Sequence, residues 1–188
     1  HECDINKTHE SFKTHDAETI RNIDILFQQI QQEDANIEDL VMNIYSLSLE
    51  IELKASLNKY FIDNFPFFCF LNIIFDPPSP ECQSYAFVCL STACQSREFP
   101  YQMFDNENVL TFLFQALCSK DPNIVESSLL LLSAVTKKSI DSRDFLLQND
   151  IIPTLESMKL KYSVAELLES LCSLNPPPPA QFIPSITE

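Results

Sequence analysis

The sequence contains no glycine and no tryptophan. Without glycine, the backbone cannot form the phosphate-cradling loops of nucleotide-binding folds, where glycine lets the chain approach a phosphate closely. The sharp elbow that presents a hydrolase nucleophile is ruled out for the same reason. The commonest left-handed helix cap is lost too, so Asn, Asp, Ser or Pro is expected to punctuate the helix ends. Positive charge is scarce: 12 Lys and Arg face 27 Asp and Glu, a formal charge of −15. This balance argues against a nucleic-acid partner, whose phosphates need clustered cations. It suits a basic protein partner and keeps the chain soluble. Long apolar runs are absent as well. The most apolar stretch, residues 65–75, holds Pro66 and Asn72 and stops at Asp76, short of the roughly 18 residues a membrane span requires.

Histidine is sparse and badly placed for catalysis. His1, His9 and His15 all lie in a polar opening stretch, and no base accompanies Cys94 or Cys118 as a candidate nucleophile. No catalytic residue, and hence no enzyme, is expected. The seven cysteines, Cys3, Cys69, Cys82, Cys89, Cys94, Cys118 and Cys172, are odd in number and mostly sit in apolar helical runs. They read as free thiols of a reducing compartment, cytoplasmic or nuclear. Their spacing lacks the paired CxxC pattern of a zinc site, so neither metal nor cofactor is expected.

What is present is helical periodicity. Residues 1–15 are polar and aperiodic and read as a loose leader, and a helical pattern begins at Asp16. Ile20, Ile23, Leu26, Phe27 and Ile30 share one face; Asp34 and Asn36 punctuate; Ile37, Leu40, Val41, Ile44, Leu47 and Ile51 then start the pattern again. Such spacing predicts two helices with apolar faces joined by a polar turn. The unit recurs. Asp34-Ala35-Asn36-Ile37-Glu38 is echoed 87 residues later by Asp121-Pro122-Asn123-Ile124-Val125, with Pro80-Glu81-Cys82 between them in the same role. Pro66 and Pro153, each opening a helix, are again 87 apart. Two periods of about 43 residues follow, the length of armadillo or HEAT repeats.

Three helices are expected per unit: short first helices over 54–62, 101–105 and 142–148, second helices over 63–75, 107–118 and 151–159, and third helices over 36–53, 81–96, 123–138 and 162–173. Three per unit favours the armadillo form over the two-helix HEAT form. The predicted class is therefore all-α, with about four repeats of about 43 residues over 16–53, 54–98, 99–139 and 140–175. Pro176 to Pro179 cannot continue a helix, so 176–188 reads as an extended tail.

Two passages resemble importin-α, the armadillo adaptor for basic nuclear-localisation peptides. SRDFLLQNDIIPTL, residues 142–155, is similar to that family's first helix and the start of its second. SLCSLNPPPP, residues 170–179, resembles the family's helix end and proline run after the fourth repeat. The resemblance implies a right-handed superhelical solenoid whose third helices line a concave groove. In the family each offers a Trp and, four residues on, an Asn, which hold lysine stems and the peptide backbone. Aligned on the helix ends, the Trp positions fall on Val88, Leu130 and Glu166 and the Asn positions on Thr92, Ala134 and Ser170. The family's cargo-pairing Asp falls on Lys138, preceded by Lys137. With the Trp/Asn ladder lost, Val88, Leu130 and Ala134 are expected to form an apolar strip for a protein or peptide partner. Two alternatives stand beside this one: a working import adaptor that meets nuclear-transport factors, and a scaffold in a signalling or cytoskeletal complex.

Overall fold

The computed structural model describes residues 3–96, 99, 101–104 and 106–173, residues 3–12 and Tyr101 as backbone only. Among them are ten α-helices, one 3-10 turn and no strand, so the chain is all-α as its periodicity predicts. No described helix is long and apolar enough to cross a membrane. The helices are α1 (Cys3–Gln29), α2 (Ile37–Ile51), α3 (Ala55–Asp63), α4 (Phe67–Phe75), α5 (Pro80–Ala93), α6 (Glu107–Ala116), α7 (Pro122–Thr136), α8 (Ile140–Gln148), α9 (Ile151–Met158) and α10 (Ala165–Cys172); the 3-10 turn, Tyr101–Met103, precedes α6. From α3 onward they fall into threes, with the turn standing where the first helix of the middle triplet is expected.

The starts of the third helices keep a strict beat. Their N-caps are Asn36, Ser79, Asp121 and Val164, spaced 43, 42 and 43 residues apart. Three of the four supply a side-chain cap: Asn36 accepts from the Asp39 amide at 3.3 Å, Ser79 from Cys82 at 3.2 Å and Asp121 from Asn123 at 2.9 Å. Each occupies an orphan amide of a first turn. Pro80 and Pro122 follow their caps at the position where a missing N–H costs nothing.

Helix ends depart in part from expectation. Asn64 and Asn149 end the first helices α3 and α8, and each amide donates back to the carbonyl four residues earlier, Tyr60 at 2.8 Å and Phe145 at 2.7 Å. Helices α2, α5, α6, α7 and α9 instead run out in right-handed conformation at Glu52, Cys94, Leu117, Lys137 and Lys159, with no polar punctuation. The one positive φ among the described residues is at Asp150 (60°), just before α9; aspartate tolerates that region better than most residues.

The opening stretch also differs from its reading. Residues expected to form a loose leader are helical from Cys3, within the 27-residue α1. The opening stretch holds no glycine or proline to break a helix, so polar residues extend the helix that Ile23 and Phe27 anchor in the core. The tail 176–188 lies outside the described residues.

The chain divides into two compact units, His1–Glu98 and Phe99–Glu188. In the first, α1 packs on α2 and α3, α2 on α3 and α5, and α4 on α5. Its core is aromatic. Phe27 meets Phe61 with centroids 5.0 Å apart, and Phe65 meets Phe70 at 4.5 Å, all tilted as ring quadrupoles prefer. In the second unit α7 is the centre, touching α6, α8 and α10. The core there is mainly aliphatic, with Leu110, Leu113, Leu131, Leu132, Leu146 and Leu155 fully buried beside one stacked ring pair, Phe99 and Phe104, at 5.4 Å. Hydroxyls lie among them, and each described bond turns back onto backbone or onto another hydroxyl. Ser128 donates to the Val125 carbonyl at 2.9 Å, and Ser142 to Phe104 at 3.2 Å.

Candidate partner-binding faces

In the first unit, α2 and α5 lie side by side and run the same way. Glu38 near the start of α2 is close enough to Cys82 to act on its thiol, the rings of Tyr45 and Tyr85 meet at 4.6 Å, and Glu52 and Leu53 share a cleft with Gln95. This register brings two exposed stripes together. On α2, Met42, Tyr45 and Leu49, with Leu53 just beyond the helix, recur at helical spacing opposite the buried Leu40, Val41, Ile44 and Ile51. On α5 the matching stripe is Glu81, Tyr85, Val88 and Thr92. Val88 and Thr92, two of the expected groove residues, are half-buried here. The Thr92 hydroxyl donates to the Val88 carbonyl at 3.3 Å, as does that of Ser91 at 2.7 Å. The cleft at the end of these helices encloses about 840 Å³ and is lined by Glu52, Leu53, Asn58, Lys59 and Asp63 among others; Lys59 pairs with Asp63.

In the second unit, Leu130, Ala134 and Lys137 follow one another along the outer stripe of α7 at intervals of four and three residues. Leu130 is 47% exposed although nearly every other face of α7 is buried. Lys137 and Lys138 both reach solvent at the helix end. Lys137 forms an ion pair with Glu166 of α10, and Thr136 shares a hydrogen bond of 2.9 Å with Ser170. Four of the expected site residues or their immediate neighbours thus meet across α7 and α10. Glu166 accepts a cation from its own unit.

The expected residues therefore fall into two sets: Val88 and Thr92 in the first unit, and Leu130, Ala134, Lys137, Lys138, Glu166 and Ser170 in the second. Each set sits at a surface and not in a core. Sequence reasoning missed Met42, Tyr45, Leu49 and Tyr85. A search for tryptophan finds no aromatic on a third helix, yet the Tyr45–Tyr85 pair lies on two of them. The signal was legible: the apolar residues of α2 occupy two faces, and only one of them can face inward.

Thiol chemistry is muted in the first unit. Burial pushes the Cys82 thiol up to about 11, with Glu38 adding to the effect. Burial likewise raises Cys89 and Cys69. Such thiols stay protonated and weakly nucleophilic. No cluster of metal-ligating side chains exists among the described residues. Compared with protein-family models, with curated proteins and with solved structures, the chain matches none.

Proposed function

We propose that this chain is a non-enzymatic protein-binding module of armadillo type, a divergent relative of importin-α that holds a protein or peptide partner on the outer faces of its third helices. One observation carries the reading. Counted from the caps Asn36, Ser79 and Asp121, the ninth residue is Tyr45, Val88 or Leu130 and the thirteenth is Leu49, Thr92 or Ala134, and all six are exposed or half-exposed. A repeat kept only for its own core would have no reason to leave Leu49 and Leu130 outward, 53% and 47% exposed, because each forgoes part of a burial worth about 1.5–3 kcal/mol. Site-specific photo-crosslinking tests it. Probes at positions 45 and 88 of the first unit should capture one shared partner that a probe at Leu160, 98% exposed on a turn, does not. Equal capture at position 160 overturns the reading.

A second reading, a working import adaptor, is favoured by the Tyr45–Tyr85 rings, which offer faces for a lysine stem. It is opposed in the second unit by Lys137 and Lys138, which would repel a cationic cargo. Titration with a fluorescent lysine-rich nuclear-localisation peptide separates the two. Micromolar binding that survives physiological salt supports the adaptor, and its absence leaves other protein partners.

A further inference from the structure

We infer that the α2–α5 face of the first unit is a docking groove for a basic amphipathic helix of a partner protein. The inference rests on the protein-binding reading above and specifies the partner's form and charge. Three observations lead to it.

The first is the shape of the apolar surface. Met42, Tyr45, Leu49 and Leu53 run straight along α2, with Leu49 53% and Leu53 96% exposed, and Tyr85 and Val88 lie beside them on α5. The stripe is about 16 Å long, three turns of helix. Two parallel helices with such a seam between them present the ridge-and-groove surface on which a third helix packs.

The second is what the seam lacks. Ser91 and Thr92, the hydroxyls nearest Val88, are already bonded to its carbonyl. Beyond these, the lining between Tyr45, Leu49, Tyr85 and Val88 offers only the two phenol hydroxyls, too few for the backbone of an extended segment. An extended peptide laid there would bury amides and carbonyls without partners, whereas a helix satisfies its own backbone and needs only an apolar stripe.

The third is the rim. Glu38, Asp39, Glu50, Glu52 and Glu81 are all exposed around the seam. The first unit as a whole carries sixteen acidic residues against six basic ones. A partner helix with lysines or arginines flanking its apolar stripe meets complementary charge along both edges, which speeds encounter and fixes its orientation.

The test uses the full chain and three labelled probes: a leucine–lysine peptide of roughly five turns with its leucines on one helical face, a scrambled peptide of the same composition, and a lysine-rich peptide held extended by prolines. At physiological salt the amphipathic peptide should bind about tenfold or more tighter than the scrambled one and gain helicity by circular dichroism; Leu49→Lys and Met42→Glu should each weaken it by about tenfold or more. Both positions face solvent, so neither change disturbs the core. Glu156→Gln on the second unit should leave binding unchanged. Equal binding of the scrambled peptide, or indifference to Leu49→Lys, overturns the inference by reducing the attraction to charge alone. If the extended peptide binds and the helical one does not, the docking groove is refuted while the protein-binding reading stands. If no probe binds and the crosslinks at positions 45 and 88 are also absent, both fail.

Discussion

Helix α5 closes the first unit and α7 lies at the middle of the second, and matched from their caps they keep burial while side-chain size and chemistry change. Ala86 corresponds to Ser128, Phe87 to Leu129, Leu90 to Leu132 and Ala93 to Val135, every pair buried. Ser128 occupies alanine-like space because its hydroxyl is returned to its own helix. The difference between the units lies in what fills the gaps between helices. In the first, interlocked rings of Phe27, Phe61, Phe65 and Phe70 do so. In the second, leucines and returned hydroxyls do so for the most part, beside the single stacked pair of Phe99 and Phe104. The recurring features are thus caps, buried positions and outward positions. Residue identity recurs much less.

The sharpest way to break this comparison is to empty each core at its centre. Phe61→Ala removes a fully buried ring that touches Phe27 and Phe65, and the expected loss is about 3–5 kcal/mol. Leu132→Ala in α7, equally buried, should cost about 2–5 kcal/mol. Denaturant titration of both variants checks the order. A phenylalanine loss clearly below the leucine loss would mean that the ring cluster is loosely packed.

The cysteines carry the next largest contrast. Cys82 and Cys89 are buried in the first unit, whereas Cys118 and Cys172 of the second are exposed. With a disulfide reagent at mildly alkaline pH, Cys118 and Cys172 should react at least about a hundredfold faster, because the buried thiols react only after local opening. Mass spectrometry of the labelled peptides reads this directly. The pH dependence follows from the raised thiol. The folded chain holds the Cys82 proton more tightly than the unfolded chain, so its contribution to stability is full below pH 9 and is lost as pH climbs toward about 11. Denaturation midpoints that stay flat over that range would contradict the burial.

The caps measure how far the repeat is written in local sequence. Asn36→Ala removes both the bond from the Asp39 amide and the reciprocal one to its carboxylate at 2.7 Å. A loss of about 1 kcal/mol is expected, and Asp121→Ala should match it. These signals made the third helices the most legible elements: each predicted start falls within three residues of the observed one, because Asn36, Ser79-Pro80 and Asp121-Pro122 combine a cap with the onset of apolar period. The largest misreading among these starts is α10, where Tyr162 and Ser163 belong to the turn and Val164 supplies no side-chain cap. The opening of α1 was illegible for a different reason, since polar residues without a breaker leave no apolar period to read. For the candidate faces, sequence reasoning named Val88, Leu130 and their partners by alignment, and they lie at surfaces of the two units. It missed Tyr45 and Tyr85 because it sought one aromatic type, whereas the packing requirement is only for a side chain that does not fit inward.

The smallest effect expected is at the feature that most sets the second face apart from the first, the ion pair of Lys137 with Glu166. Both side chains are about half exposed, 49% and 58%, so water screens the attraction and the two long side chains lose rotamer freedom to form it. A double-mutant cycle with Lys137→Met and Glu166→Gln should give a coupling of only about 0.2–0.5 kcal/mol, falling toward zero in high salt. The pair therefore contributes little to the packing of α7 against α10, which rests on buried Val135, Leu167 and Leu171 and on the Thr136–Ser170 hydrogen bond. What the pair does change is the charge offered to a partner. With Glu166 occupied by Lys137, a basic peptide meets one carboxylate fewer there, beside exposed Glu126 and Glu169, while the first unit presents five around its seam. Lys137→Met should therefore raise affinity for a basic probe at the second unit more than it alters stability. If it lowers stability by well over 1 kcal/mol instead, the contact between α7 and α10 depends on charge, and the contrast between the two faces must be redrawn.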